Sequence, residues 1–165
     1  MATSNPLDIL IMHDKWATNQ ILNACKPLAP EQFHRKFEMG QGSLHNTLLH
    51  MISAQRGWTD ALSGREFRPL MDPVPPRPVD KLLKMHDEIA DEFAATARKY
   101  SVDDLIKRVR GGKTYTFTRG AVITHVTTHG MHHRAQCLNM LRHVGVNPLP
   151  PNSVVEWTWL VDAQQ

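Results

Sequence analysis

Four of the chain's ten histidines lie within twelve residues, in the segment HVTTHGMHHRAQ over residues 125–136. On an α-helix, His129 and His133 would lie on one face, about 40° apart. Such a pair can present two imidazole nitrogens to one metal ion, although any helix can contain a His-x3-His pair by chance. A buried imidazole nitrogen without a partner costs about 1 to 3 kcal/mol, and a metal ion would remove that cost.

A candidate for a third ligand is His50, which lies in an earlier segment with helical periodicity. The other residues on its face of that helix are all small, and they leave room for a second helix: Ser43, Thr47, Ala54, Gly57 and Ala61. The alternative is a polar surface strip that carries an isolated histidine. The hypothesis is therefore that one ion bridges two helices through His50, His129 and His133.

Three further residues of the histidine segment, and Cys137 directly after it, are additional candidates for the site. His125 is expected to lie beside the ion or to act as a base, or else to be a hydrogen-bonded core histidine. Gln136 is expected to orient a ligand or substrate, or to bond to backbone. His132 is typical of a helix interface, and Cys137 is a candidate thiolate ligand whose direction differs from that of His129 by about 80°.

The elements that must position these residues are predicted from apolar periodicity and capping signals. Helices are predicted at 6–26, 43–63, 80–100 and 118–145. Asn5 followed by Pro6 is typical of a helix N-terminus, Gly64 marks a helix end, and Asp80 is predicted to cap the third helix. Three large side chains of the first two helices are candidates for the wall of an apolar pocket, or simply for core packing: Met12, Trp16 and Trp58.

The connections between these helices indicate how they are arranged. Residues 64–78 contain five prolines and can extend to about 50 Å, whereas a helix of 20 residues is about 30 Å long. The second and third helices can therefore run parallel, joined by a crossover. Residues 105–118 alternate around Gly111-Gly112 and predict a short hairpin. The predicted class is all-α: one four-helix bundle domain over residues 1–165, with an apolar tail packed on it.

Composition excludes several classes of protein. The chain is 41% hydrophobic and 21% charged with a net charge of +3, which is typical of a globular domain. It has no apolar run of about 20 residues and no signal-peptide pattern, so a cytoplasmic location without membrane contact is expected. Cys25 and Cys137 are predicted to be core residues. The densest basic patch is interpreted as a solvated surface strand, which makes nucleic-acid binding unlikely: Lys107, Arg108, Arg110, Lys113 and Arg119.

Three segments together resemble a known family. HDKWATNQIL, SLHNTLLHMISAQRGW and HVTTHGMHHRAQ are similar to the signature segments of the DinB-like (DNA-damage-inducible) family of metal-binding four-helix bundles, and the resemblance covers nearly the whole chain. It implies that the family's three metal ligands fall on His50, His129 and His133, and that the second and third helices are joined by a crossover. The family's usual HRGQ has Ala135 in place of glycine in this chain.

The ligand count and the resemblance together predict a function. Three imidazoles leave a coordination position open, as in catalytic metal sites, and imidazole suits several divalent metals, of which zinc and nickel are favoured over iron or manganese. Characterised relatives include transferases and isomerases that use low-molecular-weight thiols such as bacillithiol or mycothiol. The resemblance thus implies a metal-dependent enzyme acting on a small molecule, such as a thiol-dependent S-transferase or a hydrolase. The alternative is a non-catalytic metal-binding or small-molecule-binding protein related to stress.

Two further expectations concern partners. Relatives are often dimers, and exposed tryptophans in the tail would be compatible with a homodimer. DNA binding is suggested mainly by the family's name, and the mild charge and the lack of a recognition-helix pattern argue against it.

Overall fold

The computed structural model describes residues 3–164, apart from the side chain of Arg110. This part of the chain is mostly helical, with six helices and one small sheet. The elements in order are α1 Pro6–Cys25, α2 Pro30–Phe33, α3 Leu44–Ser63, α4 Val79–Lys99, β1 Leu105–Arg110, β2 Lys113–Thr118, α5 Arg119–His143 and α6 Val154–Leu160. A short 3-10 turn, Asp162–Gln164, follows α6. The four long predicted helices are α1, α3, α4 and α5, and the two short helices α2 and α6 were not predicted.

The ends of the long helices follow the capping signals, with one exception. The Asn5 side chain accepts a hydrogen bond from the backbone of the first turn of α1, and Ser43 does the same for α3. Gly64 ends α3 in the left-handed conformation. The prediction that Asp80 caps α4 is wrong, because Pro78 occupies the N-cap and Asp80 lies in the first turn. A carboxylate there still interacts favourably with the positive end of the helix dipole.

The directions of the long helices follow from the residues that meet between them. Three ion pairs join α1 to α4, and their order along the two helices shows that these run antiparallel: Asp8 with Arg98, Lys15 with Asp91, and Lys26 with Asp80. Leu48 near the start of α3 and Leu82 near the start of α4 belong to one apolar cluster, whereas Leu62 and Phe93 belong to another. Helices α3 and α4 therefore run in the same direction, and the proline-rich segment 64–78 connects the end of one to the start of the other.

The core consists of two apolar clusters separated by buried polar side chains. On α1, Ile11 belongs to one cluster and Ile21 to the other, and on α5 the same is true of Val126 and Cys137. Between the clusters lie five buried side chains that we call the polar layer: Asp14, Thr18, Gln55, His86 and Arg134. Buried polar groups need hydrogen-bonding or charged partners, so this layer restricts how the helices can pack.

The predicted hairpin before α5 is confirmed. Strands β1 and β2 pair antiparallel, with Ile106 opposite Phe117. The two residues between the strands, Gly111 and Gly112, have φ angles of 56° and 73°, which is typical of the two-residue type I′ turn that suits strand twist. Ile106 is buried in the apolar cluster that contains Leu62 and Phe93, so one face of the hairpin packs on the helices.

The tail packs on the helices as predicted, but its tryptophans differ from the expectation. Ser153 and Glu156 form a capping box that begins α6. Trp157 is buried against α1, and only Trp159 of the pair is exposed, at 69%. Cys25 and Cys137 are both buried and free, as predicted. Within residues 3–164, every helix is too short or too polar to cross a membrane.

Candidate metal centre

Helices α3 and α5 bring together the three histidines that the sequence analysis selected. The Nε2 atoms of His50 and His129 lie 3.1 Å apart. The ring of His133 lies 4.8 Å from that of His50 and 4.5 Å from that of His129, measured between centroids. His133 is buried and the other two are half-buried. Because α3 and α5 pack side by side, residues 79 positions apart in the sequence form one cluster, which we call the histidine triad.

The donor atoms of the triad fit a single metal ion. One ring nitrogen from each histidine lies within 4.8 Å of the other two, so the three histidines could hold an ion. With metal–nitrogen bonds of about 2.0 to 2.1 Å, tetrahedral ligands are about 3.3 Å apart, close to the separation of the His50 and His129 nitrogens. Two imidazole nitrogens that face each other at this distance share one proton or one cation. The alternative for His50, an isolated histidine on a polar surface strip, is not what the structure shows.

The environment of the triad favours neutral imidazoles. Burial, and after it the neighbouring histidines with His133 first among them, lower the pKa of His129 to about 4. Burial also lowers the pKa of His50 and of His133, although the hydrogen bond from His133 to Gln136 opposes this shift. A neutral imidazole has a free nitrogen lone pair, which is the form that binds metals. At pH 7 the triad is therefore ready to act as a ligand set.

Gln136 determines which nitrogen of His133 faces the triad. Its Oε1 lies 2.7 Å from Nδ1 of His133, and its Nε2 lies 3.1 Å from Nε2 of His132. An amide oxygen can only accept, so Nδ1 of His133 donates and its Nε2 is left with a lone pair. Gly40, at a φ of 57°, lets the loop before α3 approach closely, and a Cβ there would lie 3.2 Å from Oε1 of Gln136. The loop therefore passes close to the amide of Gln136.

Replacing Gln136 with leucine is expected to weaken metal binding about 10- to 100-fold, because His133 loses the acceptor that orients its ring. Competition with a chromophoric chelator measures the affinity. Gln136→Glu keeps an acceptor and is expected to retain the affinity, and His132→Ala removes only the other partner of the amide. An affinity of Gln136→Leu within twofold of the parent chain would show that the hydrogen bond does not matter.

The other candidates of the segment lie apart from the triad or at its edge. His125 is exposed, so it is not a core histidine; its ring lies 5.6 Å from that of His129. His132 is exposed rather than at a helix interface. Cys137 is fully buried in an apolar cluster beside Cys25, where burial raises the pKa of its thiol, and its sulfur is not part of the metal-ligand group found in residues 3–164.

The three large side chains proposed to wall one pocket lie in different places. Met12 and Trp16 line a groove between α1, α4 and α6. Trp58 lies instead beside His125, with 5.1 Å between ring centroids. The prediction of a shared apolar pocket is therefore wrong, because Met12 and Trp16 lie on a different side of the helices from the triad.

A buried ion pair beneath the triad was not predicted. Arg134 and Asp14 form a salt bridge in which both side chains are almost completely buried, and Thr18 is a further partner of Arg134. Gly130 lies against this pair, and a Cβ there would overlap Oδ1 of Asp14. A signal was present in the sequence: Asp14 and Arg134 are opposite charges on the apolar faces of α1 and α5. Charges at such positions are rarely buried unless they are paired.

A groove and a small cavity adjoin the triad. A groove of about 190 Å³ runs between α3 and the proline-rich segment and is lined by His50, Ser53 and Met71, among others. On the inner side, a cavity of about 10 Å³ separates His129 from Asp14, Gln55 and His86 of the polar layer. That volume holds about one water molecule, and its polar lining suits one. A small molecule in the groove can therefore contact His50, and the cavity on the inner side has room for about one water molecule.

The chain is similar to known proteins over most of its length. The family model described as "DinB family" matches residues 1–160. The chain is also similar to "Protein DinB" of Bacillus subtilis (strain 168), with 24% identity over 150 residues, which cover 86% of this chain and 87% of that protein.

Proposed function

Because the chain belongs to the DinB family, we propose that it is a metal-dependent enzyme whose ion is held by His50, His129 and His133. The proposed reaction is a thiol-dependent S-transfer or a hydrolysis on a small-molecule substrate. The metal is a divalent transition metal, with zinc or nickel favoured and iron or manganese compatible with the ligands. We also propose that α1, α3, α4 and α5 are the four-helix bundle of the family.

The observation that carries this proposal is an incomplete ligand set beside an open groove. Within residues 3–164, the group with metal-ligand spacing contains three histidines and no fourth side chain. Structural zinc sites use four protein ligands, whereas catalytic sites use three and keep a position for water or substrate. The groove at His50 lies beside one of the three ligands and has room for a small molecule.

Residues of this chain prepare the site for such chemistry. The triad supplies neutral nitrogens, Gln136 orients His133, and the polar layer limits interior water to about one molecule. When bound, a divalent ion supplies Lewis acidity that lowers the pKa of a coordinated thiol or water. In S-transfer the thiol loses its proton, its sulfur bonds to an electrophilic carbon, and the leaving group departs with the electron pair of the broken bond. In hydrolysis, water takes the place of the thiol.

A second function is favoured by the position of the triad between two helices. An ion bound there would link α3 to α5 and stabilise the fold without turnover, because binding to the folded state alone raises stability. In this case the protein would be a metal-binding or small-molecule-binding protein without catalytic activity, as the stress-related alternative predicts.

Cobalt(II) substitution distinguishes the two functions. N-acetylcysteine added to the cobalt-loaded chain is expected to produce a saturable sulfur-to-cobalt charge-transfer band if the coordination position is open. The S-methyl derivative has no ionisable thiol and is the matched control. A spectrum that thiols leave unchanged, together with a melting temperature that rises on metal binding, would support the stabilising role and contradict the thiol-dependent enzyme.

A further inference from the structure

A second groove lies near the C-terminal end of α3, between Trp58 and the hairpin. Its volume is about 480 Å³, within the range of small-molecule sites. Among the side chains that the structure describes, those lining it are Trp58, Arg108, Lys113, Tyr115 and Phe117, together with the backbone of Gly111. We call it the hairpin groove. The metal site proposed above does not use these residues.

The strand register explains why these side chains share one surface. Arg108 pairs with Tyr115, and Ile106 pairs with Phe117. Residues directly opposite in a strand pair project from the same face, and so do residues two apart in one strand. Arg108, Tyr115 and Phe117 therefore share the face of the hairpin that carries the buried Ile106; Arg108 and Phe117 are half-buried, and Tyr115, nearer the turn, is exposed. Lys107 belongs to the opposite, solvent-facing side of the hairpin.

The hairpin groove combines aromatic rings with positive charge. The guanidinium carbon of Arg108 lies 4.3 Å from the centroid of Trp58 and 4.5 Å from that of Phe67, so stacking on both sides fixes its position. Lys113 adds a second cation, and the described lining contains no carboxylate. Tyr115 and Phe117 lie nearly parallel at 6.4 Å. This lining suits a ligand with a flat or apolar part and an anionic group.

Trp58 connects the hairpin groove to the histidine triad. Its ring contacts those of Phe117 and His125 edge-on, with centroid distances of 6.1 Å and 5.1 Å. His125 in turn lies beside His129 of the triad, at 5.6 Å. The rings of Trp58 and His125 therefore form a continuous line of contacts from the hairpin groove to the triad.

We propose that the hairpin groove binds the anionic, aromatic end of the substrate and directs its reactive end toward the triad. The substrate class is a small organic acid with a flat or apolar body. This inference rests on the proposed function, because it assigns the substrate of the same site. Arg108 and Lys113 are positioning residues that select the anion, and Trp58 is the surface on which the flat part packs.

The test uses 2-naphthoate as the probe and 2-naphthamide as its neutral counterpart. Both are titrated into the full metal-free chain and followed by backbone amide NMR shifts, so that the carboxylate has no ion to bind. Naphthoate is expected to shift hairpin and Trp58 signals and to bind about tenfold more tightly than naphthamide. Lys113→Gln is expected to weaken naphthoate binding about threefold to fivefold, the effect of one exposed charge.

Lys107→Gln is the matched control, because it removes the same charge from the outer face of the same hairpin. It is expected to change naphthoate binding less than twofold. Arg108→Gln is expected to weaken binding at least as much as Lys113→Gln, and Lys113 is exposed enough that its variant retains the fold. With the cobalt-loaded chain, 6-mercapto-2-naphthoate is expected to give the thiol charge-transfer band at a lower concentration than N-acetylcysteine does. In the Lys113→Gln variant, the difference between these two concentrations is expected to be smaller.

Three results would overturn the proposal. The first is equal binding of the acid and the amide, and the second is equal weakening of naphthoate binding by Lys107→Gln and Lys113→Gln. The third is that an oligothymidylate shifts the same NMR signals at a lower concentration than naphthoate does. The last result would assign the surface to single-stranded nucleic acid. The outcome is separable from that of the metal proposal. Failure at the hairpin groove leaves metal binding intact, whereas failure of the triad to bind metal leaves naphthoate binding intact and breaks only the link between the two.

Discussion

Replacing His50 with alanine is expected to reduce metal affinity by roughly a thousandfold or more, about 4 kcal/mol in binding free energy. His50 is the triad member on α3, and its Nε2 lies 3.1 Å from that of His129. The variant retains only the two nitrogens of α5. A single orienting partner of a ligand is worth 10- to 100-fold, and a ligand itself contributes more. Metal content by plasma mass spectrometry on untagged protein is expected to fall from about one ion per chain to nearly none.

The same loss is expected for His129→Ala, because either substitution breaks the bridge between the helices. His143→Ala is the matched control: His143 is exposed on α5, outside the triad, and its removal is expected to leave the metal content unchanged. One ion per chain in all three variants would place the metal elsewhere. No ion in the parent chain, even after reconstitution with zinc or nickel, would contradict both metal-dependent functions.

Replacing Asp14 with alanine is expected to lower the free energy of unfolding by about 3 to 5 kcal/mol. Arg134 is 1% exposed, and its salt bridge to Asp14 is the ionic contact that compensates for burial of the guanidinium. Without the carboxylate, a charged group remains in the core between the two apolar clusters. Urea denaturation monitored by circular dichroism measures the loss, which is a large fraction of the total stability of a typical domain.

Two controls distinguish the cost of leaving Arg134 without its partner from the cost of removing both charges of the salt bridge. Asp8→Ala removes a carboxylate from an exposed ion pair with Arg98 and is expected to cost less than about 1 kcal/mol. Replacing the buried pair together, Asp14→Leu with Arg134→Met, is expected to recover most of the stability, because no unpaired charge remains. A cost below 1 kcal/mol for Asp14→Ala would mean that water or another group solvates Arg134.

The buried pair also has a consequence for the metal centre. Arg134 follows His133 directly on α5, and Asp14 lies on α1, so their salt bridge holds α5 against α1 at the level of the triad. Gly130 has no side chain where these two groups meet, which permits the close approach of the two helices. The ion pair therefore helps to fix the position of α5, which carries two of the three ligands.

Local signals in the sequence determined the helix boundaries and the faces of the histidines. Asn5, Ser43 and Gly64 cap helices through interactions within a few residues, so they can be recognised without any knowledge of the rest of the fold. The same holds for the relation of His129 to His133, which the helical period alone defines. Asp80 was assigned to the N-cap incorrectly, because Pro78 starts the helix two residues earlier and helix ends shift easily by one or two residues.

Periodicity alone left His50 with two interpretations, a ligand or an isolated surface histidine, and the resemblance to the family favoured the ligand. The structure brings His50 to the α5 histidines because α3 and α5 are neighbours that run antiparallel. Gln136 was likewise assigned two roles, and only the position of the neighbouring rings shows that its amide accepts from His133 and donates to His132.

Other features were decided entirely by the tertiary structure. The salt bridge of Asp14 with Arg134 joins residues 120 positions apart, and the stacking of Arg108 between Trp58 and Phe67 depends on how the hairpin lies on α3. The sequence of a helix shows which of its faces is apolar. It does not show which other helix will cover that face, or which residues along the two helices will meet. That choice depends on the packing of all four long helices at once, since each buried charge must meet its partner while both apolar clusters are filled.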